Sequence, residues 1–335
     1  MTRLSAIILT LAVALFLAMA GCGEDRSAPE PYDLDFDIPR SEAFPDSLLA
    51  YGLYEEPLSS LRPAAGVIPY ELSSELFTDY AFKQRLMMIP EGNSITTTDN
   101  TTFEFPEGTI LAKTFYYPSD MRDTAGPRRV IETRLLIRTE GRWNVATYLW
   151  NADQTDATLL LTGTTTESSW VDETGRSRTT DYVVPHEGEC VTCHQSGGSS
   201  VFIGPTLRNL NRNVTRSGDE VNQLEYLVAE GVLDSADWTS APSVPDYEDS
   251  DLSLDSRARA YLDINCAHCH NPGGWDEASR PDLDLRFETP LNQTGLERKA
   301  RDLERQLETG QMPYLGTTLL HDEGIRLVLD YLATL

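Results

Sequence analysis

The stretch Tyr261-Leu-Asp-Ile-Asn-Cys-Ala-His-Cys-His270 ends in two cysteines three positions apart, with a histidine directly after the second. The same five-residue pattern occurs upstream as Cys190-Val-Thr-Cys193-His194. This spacing is typical of covalent c-type haem attachment. Two cysteines so placed can bond the vinyl groups along one porphyrin edge, and the adjacent histidine becomes the proximal iron ligand. The sequence therefore predicts two covalently bound haem c groups, with thioethers at Cys190, Cys193, Cys266 and Cys269 and iron ligands at His194 and His270.

Other uses of these cysteines explain the pattern less well. The chain has five cysteines, and the four after Cys22 all belong to the two motifs. A zinc site would need its cysteine pairs about 15–20 residues apart, whereas Cys193 and Cys266 are much further apart. A thioredoxin-like dithiol needs a βαβ context. Structural disulfides are compatible with an oxidising compartment but do not explain the histidine after each pair.

The second motif is followed by a methionine segment, Gln311-Met-Pro-Tyr-Leu-Gly316, and then by a helical pattern. A helix that ends in the haem motif, a methionine loop and a closing helix together resemble class I cytochrome c, over about residues 252–335. The resemblance implies that Met312 is the distal iron ligand opposite His270. Such His/Met ligation raises the reduction potential and suits electron transfer. The other interpretation is that Met312 only packs in the core.

The first motif lacks a comparable downstream ligand, because no methionine or histidine lies between His194 and Cys266. Either a ligand comes from elsewhere or the iron has an open sixth position. We expect structural roles for His268 and His321, and either propionate binding or structural roles for Arg208 and Arg212. The candidates for a distal ligand from elsewhere are Met87, Met88, Met121 and His186.

The N-terminal segment is typical of an export signal. Arg3 supplies a positive charge, and the apolar run from Ile7 to Ala18 is too short for an ordinary membrane span. The run ends in Met19-Ala-Gly-Cys22, which resembles the lipobox of bacterial lipoproteins. The resemblance implies that Cys22 is acylated and tethers the chain to a membrane. We therefore expect a lipid-anchored protein of the bacterial cell envelope, on the periplasmic or outer-surface side; the other interpretation is a plain signal peptide.

The charge balance is strongly acidic, with 53 acidic against 27 basic residues and a net charge of −26. Nucleic acid is excluded as a partner class, because its phosphates require a basic footprint. A redox protein with a basic docking face would be attracted instead. The acidity is also explained by solubility alone.

The chain divides by pattern into five parts. Residues 1–22 are the lipoprotein signal, and residues 23–64, rich in Pro, Asp, Glu and Ser, form a flexible stalk. Residues 65–185 carry strand signals, including two runs, Val130 to Ile137 and Trp143 to Trp150, joined by a loop with a glycine. They predict a β-rich domain of sandwich or barrel-like form.

Helical periodicity replaces the strand pattern after residue 186. Three runs, Asp219 to Glu230, Ser256 to Asn265 and Asp322 to Leu335, have apolar residues at helical spacing or lead into the second motif. Residues 186–250 are therefore assigned to a first haem-binding segment and 251–335 to a second. The predicted fold is α+β and multidomain, with the β-rich domain followed by mostly α-helical cytochrome c-like haem domains.

Several stretches are similar to a little-characterised family of diheme c-type cytochromes named alongside parallel β-helix repeat proteins. The similarity covers about residues 65–335 and implies a diheme cytochrome in electron transfer, without indicating a substrate. The stretches are Leu76-Phe-Thr-Asp-Tyr-Ala-Phe-Lys-Gln-Arg85, Phe105-Pro-Glu-Gly-Thr-Ile-Leu-Ala-Lys-Thr-Phe115, Glu132-Thr-Arg-Leu-Leu136, Trp150-Asn-Ala-Asp-Gln-Thr-Asp-Ala157, Leu210-Asn-Arg212 and the segment ending in His270.

The leading functional hypothesis is a non-catalytic electron carrier. A second hypothesis is a diheme peroxidase or oxidase-like enzyme with an open site at the first haem. Such an enzyme needs a positioned acid or base on the distal side, and the sequence does not identify one. A third hypothesis is a haem-based sensor that binds a small ligand at the open position.

Overall fold

The computed structural model describes residues 44–335 apart from 99–101, 187, 191–193, 197–198, 201, 235–237, 275–281 and 314–315. In this part of the chain six antiparallel strands form the central sheet. In the order in which they pair, the strands are β1 (Val67–Pro69), β2 (Phe82–Met88), β5 (Ile110–Pro118), β6 (Arg128–Thr139), β7 (Arg142–Trp150) and β8 (Ala157–Leu159).

The strand pairing in the sheet follows from local turn chemistry and from the alternation of side chains between the two faces of each strand. The predicted hairpin is present as β6 and β7, which pair from Glu132↔Leu149 to Thr139↔Arg142. Its two-residue loop, Glu140-Gly141, has φ of 53° and 73° at the two positions. Positive φ at both loop positions matches the right-handed twist of paired strands.

One face of the sheet is covered by the segment that precedes it. Two short 3₁₀ helices, Leu48–Tyr51 and Leu58–Ser60, place leucines against this face. These residues belong to the range 23–64 that the sequence assigns to a stalk, and Leu48 and Leu61 are each 1% exposed. The sheet contributes alternate residues to this layer, which are Leu86, Ala112, Leu135, Ala146 and Tyr148.

The opposite face of the sheet is covered at both ends. At one end the hairpin β9 (Thr164–Val171) and β10 (Ser177–Val184) packs Trp170 and Tyr182 against Phe115 and Tyr117. At the other end the cover consists of the hairpin β3 (Thr96–Thr98) and β4 (Thr102–Glu104) with the helices α1 (Leu207–Leu210) and α2 (Gln223–Ala229). The middle of this face remains for the C-terminal part of the chain.

The described residues of the C-terminal part form four helices. They are α3 (Leu254–Asn265), α4 (Leu291–Thr294), α5 (Leu296–Glu308) and α6 (Asp322–Leu332). Helix α3 is capped by Ser253, whose hydroxyl accepts a hydrogen bond from the Ser256 amide. Helix α6 crosses α3 closely at Gly324, where a Cβ atom would overlap the Tyr261 ring.

The predicted fold class is wrong. Strands make up 30% of the described residues and helices only 23%. Among the described strands of the central sheet, β1 and β8 are the two edge strands and do not pair with each other. The sheet is therefore open and is not a barrel. The described residues of the range 186–250, which the sequence assigns to a first haem-binding segment, include two hairpins, β11 (Gln195–Ser196) with β12 (Ser199–Ser200), and β13 (Asn213–Arg216) with β14 (Asp219–Asn222).

The run Asp219 to Glu230 shows why the helical expectation failed. Ser217 and Gly218 have φ of 54° and 93° and form a two-residue turn between β13 and β14. The helix can begin only after this hairpin, at Gln223, and is capped by Asn222, whose side chain accepts hydrogen bonds from the amides of Leu224 and Glu225. Apolar periodicity alone therefore places the helix start four residues too early, at Asp219 instead of Gln223.

Residues Ser41–Leu335 form one compact unit. The predicted signal, the lipobox cysteine Cys22 and the stalk up to residue 43 lie outside the described residues. In the part of the chain that the structure describes, no helix is long and apolar enough to cross a membrane.

Candidate haem-binding site

A cavity of about 610 Å³ lies between the middle of the sheet and the C-terminal helices. Most of its wall is apolar, from residues such as Leu111, Val145, Leu262 and Val328. The cavity brings both predicted haem motifs together, although 71 residues of chain separate them (195–265). The predicted site residues that line it are Cys190, His194, Cys266, Cys269, His270 and Met312.

The second motif lies where helix α3 ends. Cys266 is the first residue after the helix, and the His270 amide donates a hydrogen bond of 2.9 Å to the Cys266 carbonyl. The Leu285 amide donates to the His270 carbonyl, also at 2.9 Å. Gly274 passes so close that a Cβ atom there would overlap the Cys269 carbonyl. The motif is therefore held by backbone contacts on both sides of His270.

Cys266 is not part of a disulfide, so it is not joined to Cys269. Burial, with a smaller effect of Asp263, raises the pKa of Cys266 to about 12, so this thiol stays neutral at neutral pH. Cys193 lies outside the described residues.

The segment that follows Met312 is fastened to the sheet region by Asp79. The Asp79 carboxylate, in a residue only 2% exposed, accepts hydrogen bonds from the Thr318 amide at 2.7 Å, the Thr318 hydroxyl at 2.8 Å and the Leu319 amide at 2.7 Å. It also accepts one from the Thr317 hydroxyl. Met312, half-buried, lies on the cavity wall just before this clamp.

The first motif faces the same cavity, but its predicted distal ligands do not. Met87 is fully buried beside Leu111, and Met121 packs with Trp170. The His186 side chain is half exposed, and its Nδ1 accepts a hydrogen bond from the Gly188 amide at 3.1 Å. None of the four described candidates, Met87, Met88, Met121 and His186, lines the cavity.

Two other histidines do line the cavity. His321 stacks on Phe77 with ring centroids 4.3 Å apart, and its Nδ1 lies 3.2 Å from the Tyr261 hydroxyl. Burial lowers the pKa of His321, so the ring is held as a neutral packing group. His268 differs, because its Nδ1 is buried without a hydrogen-bond partner among the described residues.

Sequence reasoning missed a row of cations on the sheet wall. Arg85, Lys113 and Arg134 are direct cross-strand partners on β2, β5 and β6, and all three line the cavity. Each lies in one of the first three stretches quoted for the family similarity. The sequence does contain a signal for these cations. Each lies two residues from an apolar residue on the same face of its strand, as Lys113 does from Leu111.

The arginines chosen from the sequence are used structurally. Arg208 binds both carboxylate oxygens of Asp263, at 2.8 and 2.9 Å, and also pairs with Glu288. Arg212 donates a hydrogen bond to the Leu72 carbonyl. Burial raises the pKa of Asp263 even though Arg208 opposes this shift. The Arg208–Asp263 pair therefore joins α1 to α3 close to the second motif.

No family model, curated protein or solved structure matches this chain.

Proposed function

We propose that this chain is a diheme c-type cytochrome that transfers electrons. One haem c would be attached at Cys190 and Cys193 and the other at Cys266 and Cys269, with His194 and His270 as proximal iron ligands. The observation that supports this proposal is the meeting of both motifs on one cavity. Neither motif needs the other for covalent attachment, whereas a relay between two haems needs them close together.

The donor set of the cavity fits this cofactor. Thiols, imidazoles and a thioether line it, its remaining wall is largely apolar, and the buried His268 Nδ1 has no hydrogen-bond partner within the described part of the chain. When bound, haem supplies one-electron iron chemistry. His270 and Met312 would hold the second iron, and a thioether ligand raises the reduction potential. The apolar wall excludes water, and the Asp79 clamp holds the methionine segment in place.

The cellular setting forms part of the proposal. Export, acylation at Cys22 and a net charge of −26 would give a membrane-tethered acidic carrier in the cell envelope. A redox partner with a basic docking face would associate faster at low salt, because exposed charges are screened as ionic strength rises.

One observation favours a diheme peroxidase or oxidase-like enzyme as the second candidate. The predicted distal ligands do not reach the cavity, while Lys113 lies on its wall. Burial, with smaller effects of Arg134 and Arg85, lowers the pKa of Lys113 to about 7. An amine with a pKa near neutrality is suited to general acid–base chemistry.

Absorption and EPR spectroscopy of the haem-loaded protein, with and without carbon monoxide, separates the two candidates. An electron carrier shows two low-spin haems, one with a methionine–iron charge-transfer band, and neither binds carbon monoxide. An enzyme shows one high-spin haem that binds carbon monoxide and reacts with peroxide. Absence of covalent haem would refute both.

A further inference from the structure

Lysine is rare in this chain. Of its 27 basic residues, Lys83, Lys113 and Lys299 are the only lysines, and the others are arginines. The two residue types differ in chemistry, because a guanidinium stays protonated in proteins whereas a buried ammonium can lose its proton and become a neutral amine. Lys113 is the one lysine of the three that lines the cavity. The sheet wall therefore contains a side chain that can donate an electron pair.

Burial favours the neutral form of this amine. Together with smaller effects of Arg134, Arg85 and Lys83, and with Glu132 opposing, it lowers the pKa of Lys113 to about 7. A large part of the amine is therefore unprotonated at neutral pH, and a metal ion bound to its lone pair would favour this form further.

The carboxylates beside the sheet wall are engaged by arginines. Arg85 binds both oxygens of Glu75, at 2.9 and 3.0 Å. Arg134 donates a hydrogen bond of 2.9 Å to Glu132, a residue that is fully buried. These carboxylates therefore neutralise the guanidinium groups on either side of Lys113 and leave the amine itself unpaired.

The two carboxylates among the described lining residues also have other partners. Asp79 accepts the hydrogen bonds of the clamp after Met312. Glu189 accepts a hydrogen bond of 3.0 Å from the His186 amide. Lys113 makes no ion pair with any residue that the structure describes. No carboxylate therefore holds the amine, and it is available to a group in the cavity.

The first motif adjoins the part of the wall that contains Lys113. The Cys190 thiol interacts electrostatically with Arg134, and Arg134 is the cross-strand partner of Lys113. Paired strands lie about 4.8 Å apart. A haem attached at Cys190 has its thioether edge at this cysteine, its iron half a ring further in, and its propionates on the opposite edge. The Lys113 amine is therefore a nearer partner for the iron than for a propionate.

Besides the two proximal histidines, two imidazoles line the cavity, and both lie on the side of the second motif. His268 lies between Cys266 and Cys269, and thus at the thioether edge of the second haem. His321 lies 3.2 Å from the Tyr261 hydroxyl of α3, the helix that leads into the second motif. Among the described residues of the sheet wall, the lysine is the remaining nitrogen donor.

We infer that Lys113 is the distal ligand of the haem attached at Cys190 and binds its iron through Nζ. This inference rests on the proposed function and supplies the ligand that the sequence did not identify. It makes the first haem six-coordinate and low-spin, in agreement with an electron carrier. In the enzyme candidate Lys113 would stay unbound as an acid–base group, and the first haem would be high-spin.

The most direct test uses the wild type, because the chain contains only three lysines. Protein labelled with ¹⁵N at the lysine Nζ would be loaded with haem, oxidised and studied by pulsed EPR. We expect one low-spin ferric haem to show coupling to ¹⁵N and the other to show none. Coupling to histidine and porphyrin nitrogens alone would overturn the inference.

Variants assign the coupling to Lys113. Lys113→Leu removes the donor, and Lys113→Arg keeps the positive charge without a lone pair. We expect each variant to lose one of the two low-spin signals and to gain a high-spin signal. Lys299→Leu is the matched control, because Lys299 is also half-buried but pairs with Asp282 at 2.9 Å and does not line the cavity. Both low-spin signals should persist in it.

A role of Lys113 in charge or packing gives a different pattern. If Lys113→Arg or Lys113→Leu keeps both low-spin signals unchanged, the inference is wrong, and loss of a signal in His268→Ala would assign the ligand to that histidine. The proposed function fails separately from this inference. A wild type without covalent haem refutes the proposed function, whereas two covalent haems without lysine coupling refute only the role of Lys113.

Discussion

At the scale of single residues, Asp79 links the sheet region to the segment after Met312. Its carboxylate accepts hydrogen bonds from Thr317, Thr318 and Leu319. A hydrogen bond to a charged group contributes about 1.5–3 kcal/mol. We expect Asp79→Asn to lower the free energy of unfolding by roughly 3 kcal/mol and to weaken the methionine–iron charge-transfer band of the haem-loaded protein.

Chemical denaturation and near-infrared absorption of this variant provide the two readouts. The control is Asp302→Asn, which alters an exposed ion pair with Arg305 and should change neither quantity. A destabilised Asp79→Asn protein with an unchanged charge-transfer band would show that Met312 is held without the clamp.

Lys113 gives the haem-free chain a particular pH dependence. Its pKa is about 7 in the folded chain against an ordinary value of 10.5, because of burial and the neighbouring Arg134, Arg85 and Lys83, with Glu132 opposing. Between these pKa values the unfolded chain binds the proton and the folded chain does not. Stability therefore rises with pH across this window, and the full cost of burying the charge applies below about pH 7.

Urea unfolding of the haem-free wild type and Lys113→Met at about pH 6.5 and about pH 9 measures this effect. The wild type should gain more stability between the two values than the variant. Lys83, with a pKa of about 8, contributes in the same direction in both proteins. An identical gain would show that Lys113 is hydrated and keeps its ordinary pKa.

Residue-level prediction used local information. The two motifs were identified from their spacing and Met312 from the resemblance to class I cytochrome c, and their described cysteines and histidines and Met312 line one cavity. The row of cations was missed because Arg85, Lys113 and Arg134 become neighbours only through strand register. Their contacts depend on pairing between three separate strands, which single-residue patterns do not show.

At the scale of elements, the crossing of α3 and α6 depends on Gly324. In an ordinary exposed helix, replacing glycine with alanine stabilises the helix by about 1 kcal/mol. Here a Cβ atom would overlap the Tyr261 ring, and overpacking costs about 1–3 kcal/mol. We expect the overlap to dominate, so that Gly324→Ala lowers the thermal midpoint.

Arg326→Ala is the control for this substitution, since Arg326 is exposed on the same helix. Its thermal midpoint should stay within the small range typical of surface substitutions. A Gly324→Ala protein more stable than the wild type would mean that α3 and α6 can move apart without a loss of folding free energy.

Elements were predictable where turn chemistry and periodicity agree. The hairpin β6–β7 follows from two strand-like runs around a glycine loop. The segment from Asp219 failed because a Ser217-Gly218 turn and strand pairing compete with helical periodicity. Helix α3 was predicted to start at Ser256 and starts at Leu254, where the Ser253 cap determines the boundary.

At the scale of the whole molecule, the central sheet and the C-terminal helices form the two walls of one cavity. This arrangement could not be predicted from the sequence, because it joins β2, β5 and β6 to α3, α5 and α6 through contacts distant along the chain. The predicted division into a β-rich domain and mostly helical haem domains treats these walls as separate. The structure places them in one unit, residues Ser41–Leu335.

The central claim is that both motifs carry covalent haem, and the intact mass of the chain tests it most directly. The wild type and two double variants, Cys190→Ser/Cys193→Ser and Cys266→Ser/Cys269→Ser, would be produced with a c-type haem maturation system. We predict the mass of two haems on the wild type and of one on each variant. A wild-type chain without covalent haem, or a double variant that still carries two, would contradict the account.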